Sequence, residues 1–311
     1  MKDTKVVFMG TPLFAVPVLE KLILNTNVLL VVSQPDKEVG RKHILQATPV
    51  KEVALKHNIP VFQPVKIKED YEEIKKLNPD LIITCAYGQI IPEELLKVPK
   101  IGSFNVHASL LPKYRGGAPI HWALINGDEK TGVTIMYMDK GMDTGDMVSK
   151  VSYDIKPTDN VGTLHEVLSV LGANLLIDTL PSIINHTNHR EKQEEKEVSY
   201  AYNIKREDER LDLNDTGFNV LNKIRGLNPF PTANILVNNE EFKVLEATFE
   251  SHLESVPGKV REVRKDSIGI DVKDGTIYIK ELKPFGKKTM KTKDYLNGVS
   301  KEIILNWKIN V

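Results

Sequence analysis

Asn105, His107 and Asp143 have the types and spacing that acyl-transfer chemistry needs. Asn105 and His107 stand two apart at the end of the run "GSFNVH" (102–107), and Asp143 follows the apolar run "GVTIMYM" (132–138) by five residues. An amide donor, a titratable imidazole and a carboxylate on one rim would stabilise an oxyanion, move a proton and hold an imidazolium. Such a set suits transfer of an acyl or formyl group to an amine. The amine attacks directly, so no Ser or Cys nucleophile is required. Ser109 lies close by but has no nucleophile-elbow motif around it. Taken one at a time, each residue has an ordinary alternative: a His at a strand end is commonly structural, and an Asn caps turns.

Other patterns fall away on inspection. Gly10 follows the first apolar run, where a dinucleotide loop would begin, but "GTPLFA" (10–15) has one glycine and a proline in place of G-x-G-x-x-G. Gly116-Gly117 are followed by Ala118-Pro119 rather than Gly-Lys-Ser/Thr, so no P-loop is present. The pair turns the chain toward a helix near Pro119. "DTG" (143–145) occurs once, in an α/β context, whereas aspartic proteases need two carboxylates. The eight histidines show no metal-ligand spacing, and no metal is expected. The one cysteine, Cys85, cannot form an internal disulfide, which suits a reducing compartment.

The elements that must position the three residues alternate. Strand-like runs at 5–9, 27–33, 80–87, 102–107 and 132–138 are separated by helix-period segments at 12–24 and 48–58. This predicts a doubly wound, mostly parallel sheet with helices on both faces, whose ligands bind beyond the carboxyl ends of the strands. Neighbouring parallel strands would then bring Asp139–Asp143 to the rim that holds Asn105 and His107. Residues 158–185 read as one long amphipathic helix, broken or whole, and the charged stretch 186–212 as a linker. A short helix at 215–227 precedes strand-like runs at 233–237, 242–249, 258–264, 267–272 and 275–281, with an Asp274-Gly275 hairpin signal. Several short strands in that span predict a small β-barrel.

At 311 residues, two domains are expected. Lys plus Arg and Asp plus Glu are 42 each, so the net charge points to no partner, but its distribution is uneven. Residues 259–293 carry eleven Lys/Arg against five Asp/Glu; on charge alone this is either a solvated basic barrel edge or, on a barrel of OB type, a phosphate-tracking surface. The N-terminus lacks the apolar stretch of a signal peptide, and no run of about 20 apolar residues is evident. A cytoplasmic, soluble protein is the expectation.

The stretches "NVHASLLPKYRGGAPI" (105–120) and "GVTIMYMDKGMDTGDM" (132–147) resemble the folate-dependent formyltransferases. "VVFMGTPLFAVPVLEKL" (6–22), "QPDKEVGRKHILQATPVK" (34–51), "AYGQIIP" (86–92) and "IRGLNPFPTA" (224–233) are similar, in the same order, to the members that formylate methionyl initiator tRNA. The resemblance covers nearly the whole chain. It implies a formyltransferase catalytic domain over 1–188, a linker over 189–208 and an OB-like tRNA-binding domain over 209–311. It implies 10-formyltetrahydrofolate as donor, methionyl initiator tRNA as acceptor, and Asn105, His107 and Asp143 as the catalytic residues. Ser109, Leu110, Leu111 and Pro112 would hold the folate, with Gln89, Ile90, Ile91 and the backbone from Asp139 to Asp143 lining its pterin pocket. An apolar, stiff Leu-Leu-Pro suits a flat ring.

Arg41 and Lys42, and Lys205 and Arg206 in the linker, would face the tRNA. Phe14, beside Gly10-Thr11, is a candidate for the methionyl side chain. The chain departs from the family pattern at Lys42, where a glycine is common, at Ile44, where a basic residue is frequent, and at Asn203, which replaces a lysine. A monomer without membrane contact is expected. Two other readings stay open: a formyltransferase acting on a sugar or ribonucleotide amine, and an inactive tRNA- or folate-binding module.

Overall fold

Continuous apolar runs become buried central strands in the computed structural model, which describes residues 1–39 and 43–311. Arg41 and Lys42 lie outside the described residues. The chain begins with β1 (Lys5–Gly10), α1 (Val16–Asn25) and β2 (Asn27–Val32), then the short hairpin of β3 (Lys37–Val39) and β4 (Ile44–Gln46). It continues through α2 (Pro49–Lys56), β5 (Val61–Phe62), α3 (Glu72–Lys76), β6 (Leu81–Cys85), α4 (Glu93–Leu96) and β7 (Gly102–His107). Then come α5 (Pro119–Ile125), β8 (Lys130–Tyr137), β9 (Met147–Asp154) and α6 (Val161–Ile184).

The first unit comprises residues 1–119, 130–154 and 165–202. Its seven-stranded sheet has the order β5-β2-β1-β6-β7-β8-β9. From β5 to β7 every pair is parallel, and β8 and β9 are antiparallel additions, so the sheet is mixed. The chain winds outward from β1 to β2 and β5, then returns to β6 on the other side of β1. The switch point of strand order therefore lies between β1 and β6. Gly10 ends β1 there because a Cβ would sit 2.9 Å from Ala15 Cβ and 3.0 Å from Cys85 O. Its bareness serves packing, not phosphate.

α6 is one continuous helix with Pro181 inside it, not a broken one. It is long and apolar enough to cross a membrane by length and composition alone, which corrects the expectation that no such run exists. Its apolar side is spent inside the protein: Leu168, Ala173, Leu176, Leu180 and Ile183 are buried at helical spacing. At Gly172 it comes close to the sheet, where a Cβ would lie 3.0 Å from Val106 and 3.1 Å from Val133. Because side chains alternate along a strand, Val106 faces α6 while Asn105 and His107 face the other way.

The second unit comprises residues 120–129, 155–164 and 203–311. It adds α7 (Gly217–Gly226), β10 (Ala233–Val237), β11 (Glu240–Ser251), β12 (Val260–Val263), β13 (Ile268–Val272), β14 (Gly275–Lys283), β15 (Met290–Lys291), α8 (Thr292–Leu296) and α9 (Lys301–Leu305). The strands form an antiparallel sheet of order β10-β11-β14-β13-β12, with β15 on β14. Asn238 and Asn239, at φ 50° and 67°, make the two-residue turn between β10 and β11. Leu213, Val220, Leu227, Ile235, Val244, Ile270, Ile277 and Trp307 are among its core residues.

Two boundaries differ from expectation. Residues 120–129 and 155–164 belong to the second unit, and the stretch read as a linker divides after Tyr202. Its first part is tied down in the first unit: Arg115 N donates to Ser199 O, and Ala201 N to Arg115 O, at 2.9 and 2.8 Å. β9 was not anticipated. As an edge strand it alternates half-buried and exposed residues and has no continuous apolar run.

Candidate active site

β7 aims two side chains at one face. Asn105 is half-buried and His107 is 5% exposed. Asp143 meets both. Its Oδ1 accepts from Asn105 Nδ2 at 3.4 Å, and its Oδ2 stands 3.6 Å from His107 Nδ1. The structure thus brings the three together, but not by the expected route. β8 runs antiparallel to β7, with Thr134 opposite His107 and Tyr137 opposite Phe104. Residues 138–146 therefore leave beside the start of β7, not its end, and fold back across the sheet face to reach Asn105. Tyr137 N donates to Asp146 O at 2.9 Å, closing that loop.

The loop carries its own bracing. Asp139 Oδ1 accepts from Gly141 N at 3.0 Å and from Thr144 Oγ1 at 2.6 Å. Gly145 could carry no side chain, since a Cβ would fall 1.9 Å from Tyr137 O. Asp143 holds φ at 53°, a left-handed conformation that costs an L-residue about 1–2 kcal/mol. Gln193 supports it: its Nε2 donates to Asp143 O at 2.7 Å and to Gly145 O at 2.8 Å. Gln193 Oε1 accepts in turn from Nε of Arg115, which is 2% exposed.

Neighbours fix the orientation of each of these side chains. Thr84 Oγ1 lies 2.8 Å from Asn105 Oδ1 and donates to it, which leaves the amide Nδ2 toward Asp143. The carbonyl of Tyr114 can only accept, so His107 Nε2, 2.9 Å away, carries a proton and donates it. His107 Nδ1 then faces the Asp143 carboxylate, an arrangement that an imidazolium satisfies at both nitrogens. Gly116 N donates to Asp143 Oδ2 at 2.9 Å. Thus the Gly116-Gly117 turn does lead into α5, and it also supplies a donor to the site. Gly116 is required at φ 121°, with a Cβ position 2.7 Å from Ala201 O.

Thr84, the Tyr114 carbonyl, the Gly116 amide, Arg115 and Gln193 were not foreseen as parts of the site. Thr84 alone carried a signal, as the polar residue inside "LIITC". No thiol competes for the chemistry: Cys85 is fully buried, and burial pushes its thiol up.

The residues expected around the folate have mostly structural side chains. Ser109 Oγ donates to Lys113 O at 2.7 Å, Ser109 and Leu111 are each 1% exposed, and Pro112 is buried. Leu110 is half-buried and lies over Gly132, where a Cβ would come within 2.5 Å of it. Gln89 is engaged with the neighbouring loop, accepting from Ile67 N at 2.8 Å and donating to Val65 O at 3.2 Å. Ile91 is buried in the core, whereas Ile90 is 88% exposed. Leu110 and Ile90 thus keep exposed surface, and Asp139 is a brace of its loop.

Phe14 is also interior, 6% exposed and edge-on to His165 with ring centroids 5.4 Å apart. In the second unit, Arg206 is paired with Glu209 and Glu241, and Lys205 Nζ lies 3.4 Å from Glu207. Among the described residues, no group of three or more His, Cys, Asp and Glu side chains is placed to hold a metal.

Residues 4–180 match the family described as formyl transferase, and residues 203–300 match its C-terminal domain. The methionyl-tRNA formyltransferase of Staphylococcus epidermidis is 48% identical over 304 residues, covering 97% of this chain and 98% of its own length. An N-formyltransferase from Helicobacter canadensis, solved with folinic acid and dTDP-3-aminofucose, has a TM-score of 0.66 at 23% identity, over 89% of this chain and 98% of that one. HypX from Aquifex aeolicus, solved with tetrahydrofolic acid, has a TM-score of 0.64 at 17% identity, over 95% of this chain and 47% of that one. These two likenesses speak to the fold. With both domains matched in order and a relative nearly half identical along its length, the chain belongs to the formyltransferase family.

Proposed function

We propose that the protein transfers the formyl group of 10-formyltetrahydrofolate to the α-amine of methionyl initiator tRNA, in the cytoplasmic chemistry that begins translation. The meeting of Asn105, His107 and Asp143 on one face, in a chain 48% identical to a methionyl-tRNA formyltransferase, carries this reading. The folate derivative is a co-substrate whose flat ring would lie against Leu110, Ile90 and the backbone of 139–143.

Asn105 Nδ2, with one N–H toward Asp143 and a second for the formyl oxygen, would stabilise that oxygen as it gains negative charge, and a His107 imidazolium held between Tyr114 O and Asp143 would add positive charge beside it. Asp143 holds the imidazolium and accepts the proton that the attacking amine loses. The new bond from the formyl carbon to the amine forms as its bond to folate N10 breaks, and N10 takes the proton that Asp143 received, so tetrahydrofolate leaves within one complex and no covalent enzyme adduct is needed. We read the antiparallel sheet of the second unit as an OB-like barrel whose basic face tracks tRNA phosphates.

The test measures formylmethionyl-tRNA and released tetrahydrofolate with methionyl initiator tRNA, a nucleotide-linked amino sugar and a ribonucleotide amine as acceptors. Stoichiometric transfer to the tRNA is expected. Transfer only to a small amine would overturn the acceptor, and no transfer to any of them would overturn the activity.

A further inference from the structure

The eleven cations of residues 259–293 are not equivalent once their partners are known. Arg261 is held by Asp271 at 2.7 Å, and Arg264 by Glu250 and Glu262 at 2.6 and 2.9 Å. Lys280 is held by Asp266 at 3.0 Å, and Lys291 by Glu246 and Glu281 at 2.8 and 3.1 Å. Both arginines are thus neutralised, and the surplus charge rests on lysines. Three of them, Lys283, Lys287 and Lys288, lie in or beside the β14–β15 turn, and none has a carboxylate partner among the described residues.

At the tip of that turn stands Phe285, 65% exposed, without a ring partner among the described residues. The turn itself is firm. Lys287 N donates to Pro284 O at 3.0 Å, Gly286 takes φ 70° at the third position, and Pro284 is buried. Phe285 is therefore displayed by a closed turn. Lys287 Nζ points back over the Tyr295 ring, 5.9 Å from its centroid. An exposed aromatic ring on a turn rich in cations without carboxylate partners matches the pattern of single-stranded nucleic-acid recognition, where a base stacks and flanking phosphates are neutralised. Duplex RNA hides its base faces from such a ring. A lipid surface would need more than one apolar side chain, and the neighbours Leu282 and Pro284 are buried.

We propose that the 283–288 turn is a stacking site for one unpaired RNA base, taken on Phe285 with Lys283, Lys287 and Lys288 on the adjoining phosphates. The proposal rests on the reading of tRNA as acceptor.

It is tested with the full chain carrying Phe285→Ala, Phe285→Trp or the pair Lys287→Ala and Lys288→Ala. Each is checked by thermal melting and by equilibrium binding to initiator tRNA over a salt series. A loss in tRNA affinity of about tenfold is expected for Phe285→Ala, within the range for one stacked base, with the salt slope unchanged. Phe285→Trp should restore affinity, and the lysine pair should flatten the salt slope by about one to two. Phe285→Ala affinity within twofold of wild type would overturn the proposal, as would a loss that Trp does not restore. Loss of binding only to vesicles of phosphatidylserine and phosphatidylcholine would show that the turn meets lipid, and would also overturn it. If the wild-type protein neither binds nor formylates methionyl-tRNA, the acceptor reading fails first; if it does both and Phe285→Ala binds equally well, only the stacking site fails.

Discussion

Gln193 lies fifty residues from Asp143 in sequence, yet its side chain sets where that carboxylate stands. Gln193→Leu keeps the volume and removes the bonds to Asp143 O, Gly145 O and Arg115 Nε, at 2.7, 2.8 and 2.9 Å. Two neutral bonds and one to a guanidinium, taken at the low end because Gln193 is half-exposed, amount to about 2.5 kcal/mol. That exceeds the ~1–2 kcal/mol of left-handed strain at Asp143, so the loop is expected to relax away from Asn105 and His107. A displacement of about 1 Å can cost on the order of a hundredfold in rate. The expected result is a kcat lowered 10- to 100-fold, roughly, with KM for tRNA and folate changed less than about threefold.

Gln193→Glu separates positioning from simple stability. Its carboxylate still accepts from Arg115 but turns acceptor atoms toward two carbonyls. Melting should stay nearer to wild type while kcat falls as for the leucine variant. Both are measured by formyl transfer at saturating donor and by thermal unfolding. A Gln193→Glu enzyme with wild-type kcat would refute the reasoning.

Asp143→Ala should lower kcat by about a hundredfold or more, on the order of 3 kcal/mol, while tRNA binding is retained. Near-normal turnover in the folded variant would remove Asp143 from the mechanism. Thr84→Val frees the Asn105 amide to flip; with a net bond of about 1 kcal/mol, kcat should drop by no more than about fivefold. A loss as large as that of Asn105→Ala would contradict a purely orienting role. Gly132→Ala places a Cβ 2.1 Å from Val151 O, across the β8–β9 ladder. Its melting temperature should fall by several degrees, and an unchanged melt would show that this ladder opens freely.

The buried strands were legible because water leaves a strand such as β6 no polar face, and "LIITC" says so directly. Residue types marked Asn105, His107 and Asp143 as candidates, and the structure brings these three side chains together. The path by which Asp143 arrives was not legible. A strand's sequence does not encode its direction, and β8 reverses where a parallel neighbour was expected. Gln193 and Arg115 act through contacts between distant segments, inside a charged stretch without periodicity. Tyr114 and Gly116 contribute backbone atoms, which leave no trace in side-chain identity. The basic count over 259–293 was readable, but only the ion pairs show which charges remain for a partner.

The interleaving of the chain bears on how this enzyme can be taken apart. Residues 120–129 and 155–164, encoded well before residue 203, complete the second unit. Gly226 packs so closely on Ile125 that a Cβ would come within 2.6 Å of its Cγ1, and His121 Nδ1 lies 2.8 Å from Gly226 O. A fragment cut at residue 203 leaves those pieces behind. A chimera made by exchanging everything after that point would seat a foreign unit on inherited parts it did not evolve with. Transplanting the second unit requires three segments to move together, so the unit of exchange is discontinuous in the gene though contiguous in space.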